Sequence, residues 1–236
     1  MTPAPGVRRH AHIDLDAIVA NAISSGRPLA NSTADLRVDA YGHGLIPVAR
    51  VLSSAGTGGF LVSRIEDAAT LADDGVSGRV LVDSPAGDAG ALLGPELFGL
   101  DPQQASRPAL RLVGEIVAVK RVGARRGVSY GYTYRTERPS TLVLVALGYA
   151  DGLLRVASNR GPVQVGTVRG RVSGRIAMDQ FVVDIGDADA LPGDPVVVFG
   201  DPGRGEPTVL DWADALGVAA PVITSRLGRR IERRYA

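Results

Sequence analysis

The chain has 236 residues, of which 45% are hydrophobic, and its formal net charge is +1. This composition is typical of a soluble globular protein and lacks the strong positive charge of a nucleic-acid-binding protein. The absence of cysteine excludes disulfides, thiolate nucleophiles and cysteine-based zinc sites, and we expect no metal site. No apolar run reaches the ~18 residues of a membrane helix. Residues 1–10 lack a signal-peptide core, so we expect a cytoplasmic protein with no membrane partner.

The first half of the chain alternates predicted strands and helices. Short apolar runs with β-branched residues predict the strands, and apolar residues at helical spacing predict the helices. This alternation is typical of parallel strands in an α/β unit. The predicted strands are 36–38, 59–62 and 79–82; the predicted helices are 17–24 with Asp16 as N-cap, 45–55, and 64–74 with a capping box of Ser63 and Glu66.

The second half follows a different pattern. The stretch 84–107 is rich in Gly, Pro, Ala and Gln and is predicted to be irregular. Apolar runs separated by turn residues then predict an antiparallel β domain. An arginine-rich run, 226–235, predicts a solvent-exposed end. The predicted strands are 110–122, 141–147, 162–165, 181–185 and 195–199, and a helix is predicted over 209–216 with Thr208 and Asp211 as its capping box.

Several short segments stand out by their Gly, Tyr, Arg and Met content. Each alone is best explained as a turn, a loop or core filling, because glycine is common wherever the backbone turns sharply. Their combination in one order along the chain is much harder to obtain by chance. The segments are RVDAYGHG at 37–44, GVSYGYTY at 127–134, LGYADG at 147–152 and GRIAMDQ at 174–180.

In this combination the chain resembles the alanine racemase family, the fold-type III pyridoxal phosphate enzymes. The resemblance implies a (β/α)₈ barrel followed by a β domain, interconversion of L- and D-alanine, and a head-to-tail homodimer. It places Tyr130 at the position of the catalytic tyrosine and Tyr41 at that of a tyrosine that helps to hold the cofactor phosphate. Met178 stands where the family helps to place the substrate carboxylate, and Arg37 stands at the position of the cofactor lysine.

Residue 37 departs from the family pattern. A lysine forms an imine with the cofactor aldehyde, whereas the guanidinium of Arg37 stays protonated and its lone pairs are delocalised. Lys120 is the only lysine of the chain, and it lies in a predicted strand of the β domain. We therefore expect pyridoxal phosphate as the family cofactor but no covalent binding of it here.

The length of the first half is a second departure. A complete (β/α)₈ barrel needs about 200–250 residues, and here only three barrel strands can be traced, near Leu36, Phe60 and Leu81. The sequence thus predicts an incomplete α/β barrel fragment, 1–105, followed by an antiparallel β domain of the alanine racemase type, 106–236. By the resemblance, the missing middle strands would also remove an arginine and a histidine that assist catalysis.

Three functional hypotheses remain open. The first is a degenerate alanine racemase homologue with little or no activity, and the second is an amino-acid racemase with a residual pyridoxal phosphate site or one completed by a second chain. The third is a repurposed binding or dimerisation module that uses Tyr130, Tyr149 and Arg175 on a new ligand. The partner would be a small amino acid if the protein is active, and a homodimer is expected because a truncated barrel exposes apolar surface.

Overall fold

The structure is a computed structural model that describes residues 8–83 and 91–236. Expectations for residues 1–7 and 84–90, including the start of the predicted irregular stretch, lie outside the described residues. The chain divides into two compact units. We call 12–110, 220–225 and 233–236 the N-terminal unit, and 8–11, 111–219 and 226–232 the C-terminal unit.

The N-terminal unit contains a four-stranded parallel sheet with the order β4-β3-β2-β5. Every residue of β2 and β3 is buried, as expected for central strands of a parallel sheet with both faces covered. Among the described residues β4 and β5 form the two edges of this sheet, which is therefore open there. Its strands are β2 (Ser32–Asp35), β3 (Gly59–Val62), β4 (Arg79–Val82) and β5 (Ala91–Leu93), and β1 (Arg9–Ile13) precedes them.

Two strand predictions in this unit were wrong. The first strand ends at Asp35 and does not cover 36–38, because the backbone turns into the left-handed region at Val38. The fourth strand, β5, pairs with β2 and was missed. It has only three residues, too few for a periodic signal to appear.

The helices of the N-terminal unit are α1 (Leu15–Ser24), α2 (Leu45–Ser54) and α3 (Ile65–Asp73). The N-cap of α1 is Asp14, not Asp16, since Asp14 Oδ1 accepts the N–H of Ala17 at 2.7 Å. The predicted capping box of α3 is absent from the described contacts, because Ser63 Oγ accepts the N–H of Val38 instead, at 3.1 Å.

The C-terminal unit is built on an antiparallel sheet, as predicted from its apolar runs separated by turn residues. The sheet has eight strands with the order β11-β10-β13-β6-β1-β14, and β9 pairs with both β6 and β12. Its strands are β6 (Leu110–Val122), β9 (Ser140–Val145), β10 (Pro162–Val165), β11 (Val168–Arg171), β12 (Phe181–Asp184), β13 (Pro195–Phe199) and β14 (Glu232–Tyr235), and β7 (Gly127–Val128) and β8 (Tyr134–Arg135) form a separate pair.

Helix α4 (Val209–Leu216) belongs to this unit, whereas α5 (Ala220–Thr224), which follows along the chain, belongs to the N-terminal unit. The predicted capping box is confirmed: Thr208 Oγ1 accepts the N–H of Asp211, whose carboxylate accepts the N–H of Thr208. Trp212 is fully buried, and its indole N–H donates to the carbonyl oxygens of Pro162 and Val198 at 2.7 and 2.8 Å. A buried indole therefore has its polar atom satisfied.

The arginine-rich run 226–235 is only partly exposed, so its prediction as a solvated end was too simple. Ile231 is buried within it, and the side chain of Arg233 is mostly buried and donates to the carbonyl oxygen of Gly42 at 2.9 Å. Arginine can bury its aliphatic stem while its guanidinium reaches a carbonyl or carboxylate. None of the helices in the described part of the chain combines the length and apolar character needed to cross a membrane.

Candidate functional site

The segment after β2 carries the two predicted site residues of the N-terminal unit, Arg37 and Tyr41. Its backbone is left-handed at four successive non-glycine residues, 38–41, with φ between 52° and 57°. Such residues cost about 1–2 kcal/mol each, so surrounding contacts must hold the turn. Gly42, at φ 85°, ends it, and a Cβ there would lie 2.2 Å from the carbonyl oxygen of Thr224. Only glycine fits that position without displacing backbone.

Asp35, the last residue of β2, joins Arg37 and Tyr41 into one network. Its Oδ1 accepts from the backbone N–H and the Nε–H of Arg37, at 3.1 and 2.9 Å. Its Oδ2 accepts from Nη2 of Arg37 and from the hydroxyl of Tyr41, both at 2.6 Å. The carboxylate is 2% exposed, whereas the Arg37 side chain is 41% exposed. Sequence reasoning missed Asp35, since an acidic residue beside a short strand carries no local signal of burial.

The charges of this network are fixed near neutral pH. Burial alone raises the pKa of Asp35, but the hydrogen bonds from Arg37 and Tyr41 outweigh burial and hold it below its ordinary value. The bond to the Asp35 carboxylate raises the pKa of Arg37, and burial followed by the same carboxylate raises the pKa of Tyr41. Asp35 is thus an anion, Arg37 a cation and Tyr41 a neutral donor to the anion.

His43 lies in the core beside this network. It is completely buried, and its ring centroid is 4.5 Å from that of Phe98. Its Nδ1 lies 3.0 Å from the carbonyl oxygen of Ala40 and 3.2 Å from that of Tyr41, so Nδ1 carries the hydrogen. Within the described part of the chain, Nε2 has no hydrogen-bond partner. Burial lowers the pKa of His43 to about 4, so the ring is neutral at pH 7.

In the C-terminal unit the structure brings the predicted residues together. A cavity of about 450 Å³ is lined by Tyr130, Tyr149, Arg175 and Met178. Tyr130 is 72% exposed and Met178 54% exposed, so both side chains are open to solvent. Arg155, which sequence reasoning missed, also lines this cavity and lies 5.4 Å above the ring of Tyr149. Two arginines and two tyrosine hydroxyls can bind a small anionic ligand there.

Backbone contacts hold the two loops of this cavity together. The N–H groups of Tyr149 and Ala150 donate to the carbonyl oxygens of Ala177 and Met178, at 3.0 and 2.9 Å. A Cβ at residue 148 would lie 2.2 Å from the Met178 oxygen, which explains the glycine of the GYADG segment. The positions of Tyr149 and Met178 are therefore fixed by main-chain geometry.

A buried carboxylate supports the same loops. Asp151 is fully buried; its Oδ2 accepts the N–H of Gly148 at 2.8 Å, and its Oδ1 lies 3.1 Å from Nε of Arg230. Arg230 also donates to Asp179 at 2.6 Å, so one guanidinium ties the loop of Tyr149 to the loop of Met178. The sequence offered no signal for this pairing, because the partners are distant along the chain.

Few side chains of this protein could bind pyridoxal phosphate covalently or hold a metal ion. Lys120, the only side-chain amine, lies exposed on β6 of the C-terminal unit and lines a different cavity of about 310 Å³. Across residues 8–83 and 91–236 no group of three His, Asp or Glu side chains could hold a metal ion. The geometry therefore offers binding groups but no amine near residue 37 within the described N-terminal unit.

Comparison with known proteins gives consistent matches. Residues 13–96 match the family model of the alanine racemase N-terminal domain, and residues 109–235 match that of the C-terminal domain. The chain is 48% identical over 147 residues to the alanine racemase of Salinispora arenicola, which is 60% of this chain and 40% of that protein. It is 51% identical over 129 residues to that of Thermobifida fusca, which is 55% of this chain and 34% of that protein.

Solved structures agree with these matches. The alanine racemase of D-cycloserine-producing Streptomyces lavendulae superposes with a TM-score of 0.89 at 27% identity, over 99% of this chain and 98% of that chain. The enzyme of Streptomyces coelicolor superposes with a TM-score of 0.84 at 27% identity, over 97% and 98%. The sequence matches nevertheless cover well under half of the length of the two relatives described above.

Proposed function

Because this chain belongs to the alanine racemase family, we propose that it is a member that has lost the racemisation activity of the family. Alanine racemases are pyridoxal phosphate enzymes, and their reaction begins with an imine between the cofactor aldehyde and a lysine. The observation that carries the proposal is the ion pair of Arg37 with the buried Asp35, at the position of that lysine. The protein is, on this proposal, a pseudoenzyme.

The residues around position 37 do not fit the cofactor. Arg37 offers no neutral amine, and its guanidinium is engaged with both oxygens of Asp35. The hydroxyl of Tyr41, which the resemblance assigns to the phosphate, donates to Asp35 instead. A phosphate placed there would also meet the buried anionic charge of Asp35.

The open sheet supports the same conclusion. A (β/α)₈ barrel encloses its site with loops from eight strands, whereas the N-terminal unit has a four-stranded parallel sheet. We propose that 1–105 is the remnant of the barrel domain and 106–236 the β domain. Tyr130, Tyr41 and Met178 would keep their family positions while no longer taking part in the reaction, and Arg37 would block it.

We expect the wild-type protein to form no covalent adduct with pyridoxal phosphate at residue 37 and to convert no L-alanine into D-alanine. The physical reason is that Arg37 has no free amine that could attack an aldehyde. The measurement is borohydride reduction after incubation with pyridoxal phosphate, followed by peptide mass mapping, together with a chiral assay of alanine.

Lys120→Arg provides the matched control, since it removes the only side-chain amine of the chain. Labelling that disappears in this variant, without alanine conversion, is reaction of an exposed lysine and leaves the proposal intact. A cofactor mass on a wild-type peptide together with measurable racemisation would overturn the proposal. That outcome would favour a residual racemase or one whose site is completed by a second chain.

The C-terminal unit favours a second candidate function, a dimerisation module. Exposed aromatic and methionine side chains lie on this unit: Tyr130 and Met178, which line the cavity of about 450 Å³, are 72% and 54% exposed, and Tyr132, which lines a second cavity together with Tyr130, is 63% exposed. Tyrosine and methionine are enriched in protein interfaces, and large exposed patches of this kind are uncommon in monomers. The partner that we propose is a second copy of this chain, as in the family dimer.

We expect sedimentation to show a homodimer at micromolar concentration and Tyr130→Asp to shift it towards monomer, because a charge on this surface must be desolvated on association. Leu191→Asp is the control, since Leu191 is equally exposed, at 69%, and lies outside the cavity lining. A wild-type monomer, or equal effects of the two substitutions, would argue against this interface.

A further inference from the structure

Asp35 is the least expected feature of the N-terminal unit. A carboxylate that is 2% exposed sits at the end of a central strand of a parallel sheet, where apolar residues are the rule. It accepts four hydrogen bonds, three from Arg37 and one from Tyr41. Both oxygens bind Arg37, and Oδ2 also accepts from Tyr41, so the carboxylate holds the guanidinium and the phenol together.

A buried anion of this kind requires a cation. Burying an isolated carboxylate costs several kcal/mol, and the ion pair with its added hydrogen bonds offsets that penalty. The dependence runs in both directions, because Asp35 also favours the charged form of whatever basic group stands at residue 37. Asp35 and residue 37 therefore form one electrostatic unit.

We propose that Asp35 is a positioning residue that keeps any basic side chain at residue 37 protonated and hydrogen-bonded, so that even a lysine there would not act as a nucleophilic amine. This inference rests on the loss of activity proposed above and extends it. Two residues, Asp35 and Arg37, prevent imine formation at the site. Restoring the lysine alone would leave the block in place.

The chemistry makes this block testable. An amine attacks an aldehyde with its nitrogen lone pair; the C–N bond forms, the nitrogen gives up its protons and the carbonyl oxygen leaves as water. An ammonium ion has no lone pair and cannot begin this sequence. A carboxylate in contact favours the ammonium form, which raises the pKa of a lysine by about 1–3 units. The fraction of free amine near pH 8 then falls about tenfold for each unit.

The experiment compares Arg37→Lys with Asp35→Asn/Arg37→Lys. Both variants retain Lys120, which is exposed on β6 and serves as an internal reference. The amines are dimethylated with ¹³C-formaldehyde and cyanoborohydride and titrated by ¹³C NMR, and versions that also carry Lys120→Arg assign the signals. In parallel, pyridoxal phosphate is the aldehyde probe, trapped with borohydride at pH 8 and quantified by peptide mapping.

In Arg37→Lys we expect the introduced amine to titrate at least about one pH unit above Lys120, and in the double variant at or below it. Trapping of the probe at residue 37 should rise about tenfold or more from the single to the double variant. Arg37→Lys/Tyr41→Phe is the matched control: it removes the phenol but keeps the carboxylate, so its introduced amine should still titrate high.

The proposal is overturned if the introduced amine of Arg37→Lys titrates with or below Lys120, or if Asp35→Asn leaves its titration and trapping unchanged. Within Arg37→Lys, the comparison of the introduced amine with Lys120 tests the proposal even when the double variant does not fold. Failure here is distinct from failure of the proposed function. The latter is tested on the wild-type chain, and a racemising wild type would leave these titrations unaffected.

Discussion

Replacing Arg37 with methionine is expected to lower the free energy of unfolding by about 2–3 kcal/mol near pH 7. The substitution keeps the apolar stem but leaves the buried Asp35 without its cation, so an uncompensated carboxylate remains in the core. Breaking a fully buried pair costs about 3–5 kcal/mol, and the lower figure allows for the partial exposure of Arg37. Urea denaturation followed by circular dichroism measures the effect.

Two comparisons make this prediction specific. Asp35→Asn/Arg37→Met should recover most of the loss, because it removes the buried charge together with its partner. Arg64→Met is the control for loss of an exposed arginine; its pair with Asp67 is on the surface, so it should change stability much less than Arg37→Met does. Equal losses in Arg37→Met and the double variant would show that Asp35 is not the source of the effect.

The sign of the pH dependence follows from the lowered pKa of Asp35 in the folded state. Its contribution to stability is present above the unfolded pKa of about 3.9 and is lost as pH falls through the folded pKa. The loss in free energy of unfolding caused by Arg37→Met should therefore be largest near neutral pH and become smaller in acid.

His43 should make the wild-type protein lose about 3 kcal/mol of stability between pH 6.5 and pH 4. The pKa of the buried ring is about 4, whereas the unfolded chain takes up the proton near 6.5. Over that window the unfolded state binds a proton that the folded state does not. The contribution of His43 to stability is therefore complete above pH 6.5 and declines as pH falls. His43→Asn keeps a donor near the Ala40 carbonyl and should flatten this part of the profile, as measured by urea denaturation at pH 4.0–7.5.

His12→Asn is the matched control for this titration, since His12 is exposed. The carboxylates are the same in all three proteins, so their contribution to the pH profile cancels in the comparison. A profile of His43→Asn that runs parallel to the wild type would show that the ring of His43 does not titrate with a lowered pKa.

The sequence could predict features whose cause is local. The capping box of Thr208 and Asp211 was found because both partners lie within one helical turn, and the long strand 110–122 was found from its run of apolar residues. The family motifs likewise marked Tyr130, Tyr149, Arg175 and Met178, which line one cavity in the structure.

Features that depend on tertiary contacts could not be predicted from the sequence. The sequence predicted Ser63 as part of a helix cap, but its hydroxyl oxygen accepts the backbone N–H of Val38 instead. Arg230 lies in the run that the sequence predicted to be solvent-exposed, but its guanidinium pairs with the carboxylates of both Asp151 and Asp179. Asp35 shows the limit most clearly: its burial depends on neighbouring strands, and its contact with Tyr41 depends on a left-handed turn that the residue types at 38, 40 and 41 disfavour.

The pairing of Asp35 with Arg37 also bears on how this chain can change over generations. Substituting the arginine first with an uncharged residue leaves a buried anion without its partner, and substituting the aspartate first leaves a cation without its counter-ion. Each single step that removes one of the two charges thus passes through a less stable protein, in a class of molecules whose total stability is only about 5–15 kcal/mol. A lineage that acquires both residues is therefore expected to exchange residue 37 only for another basic residue, unless Asp35 is lost at the same time.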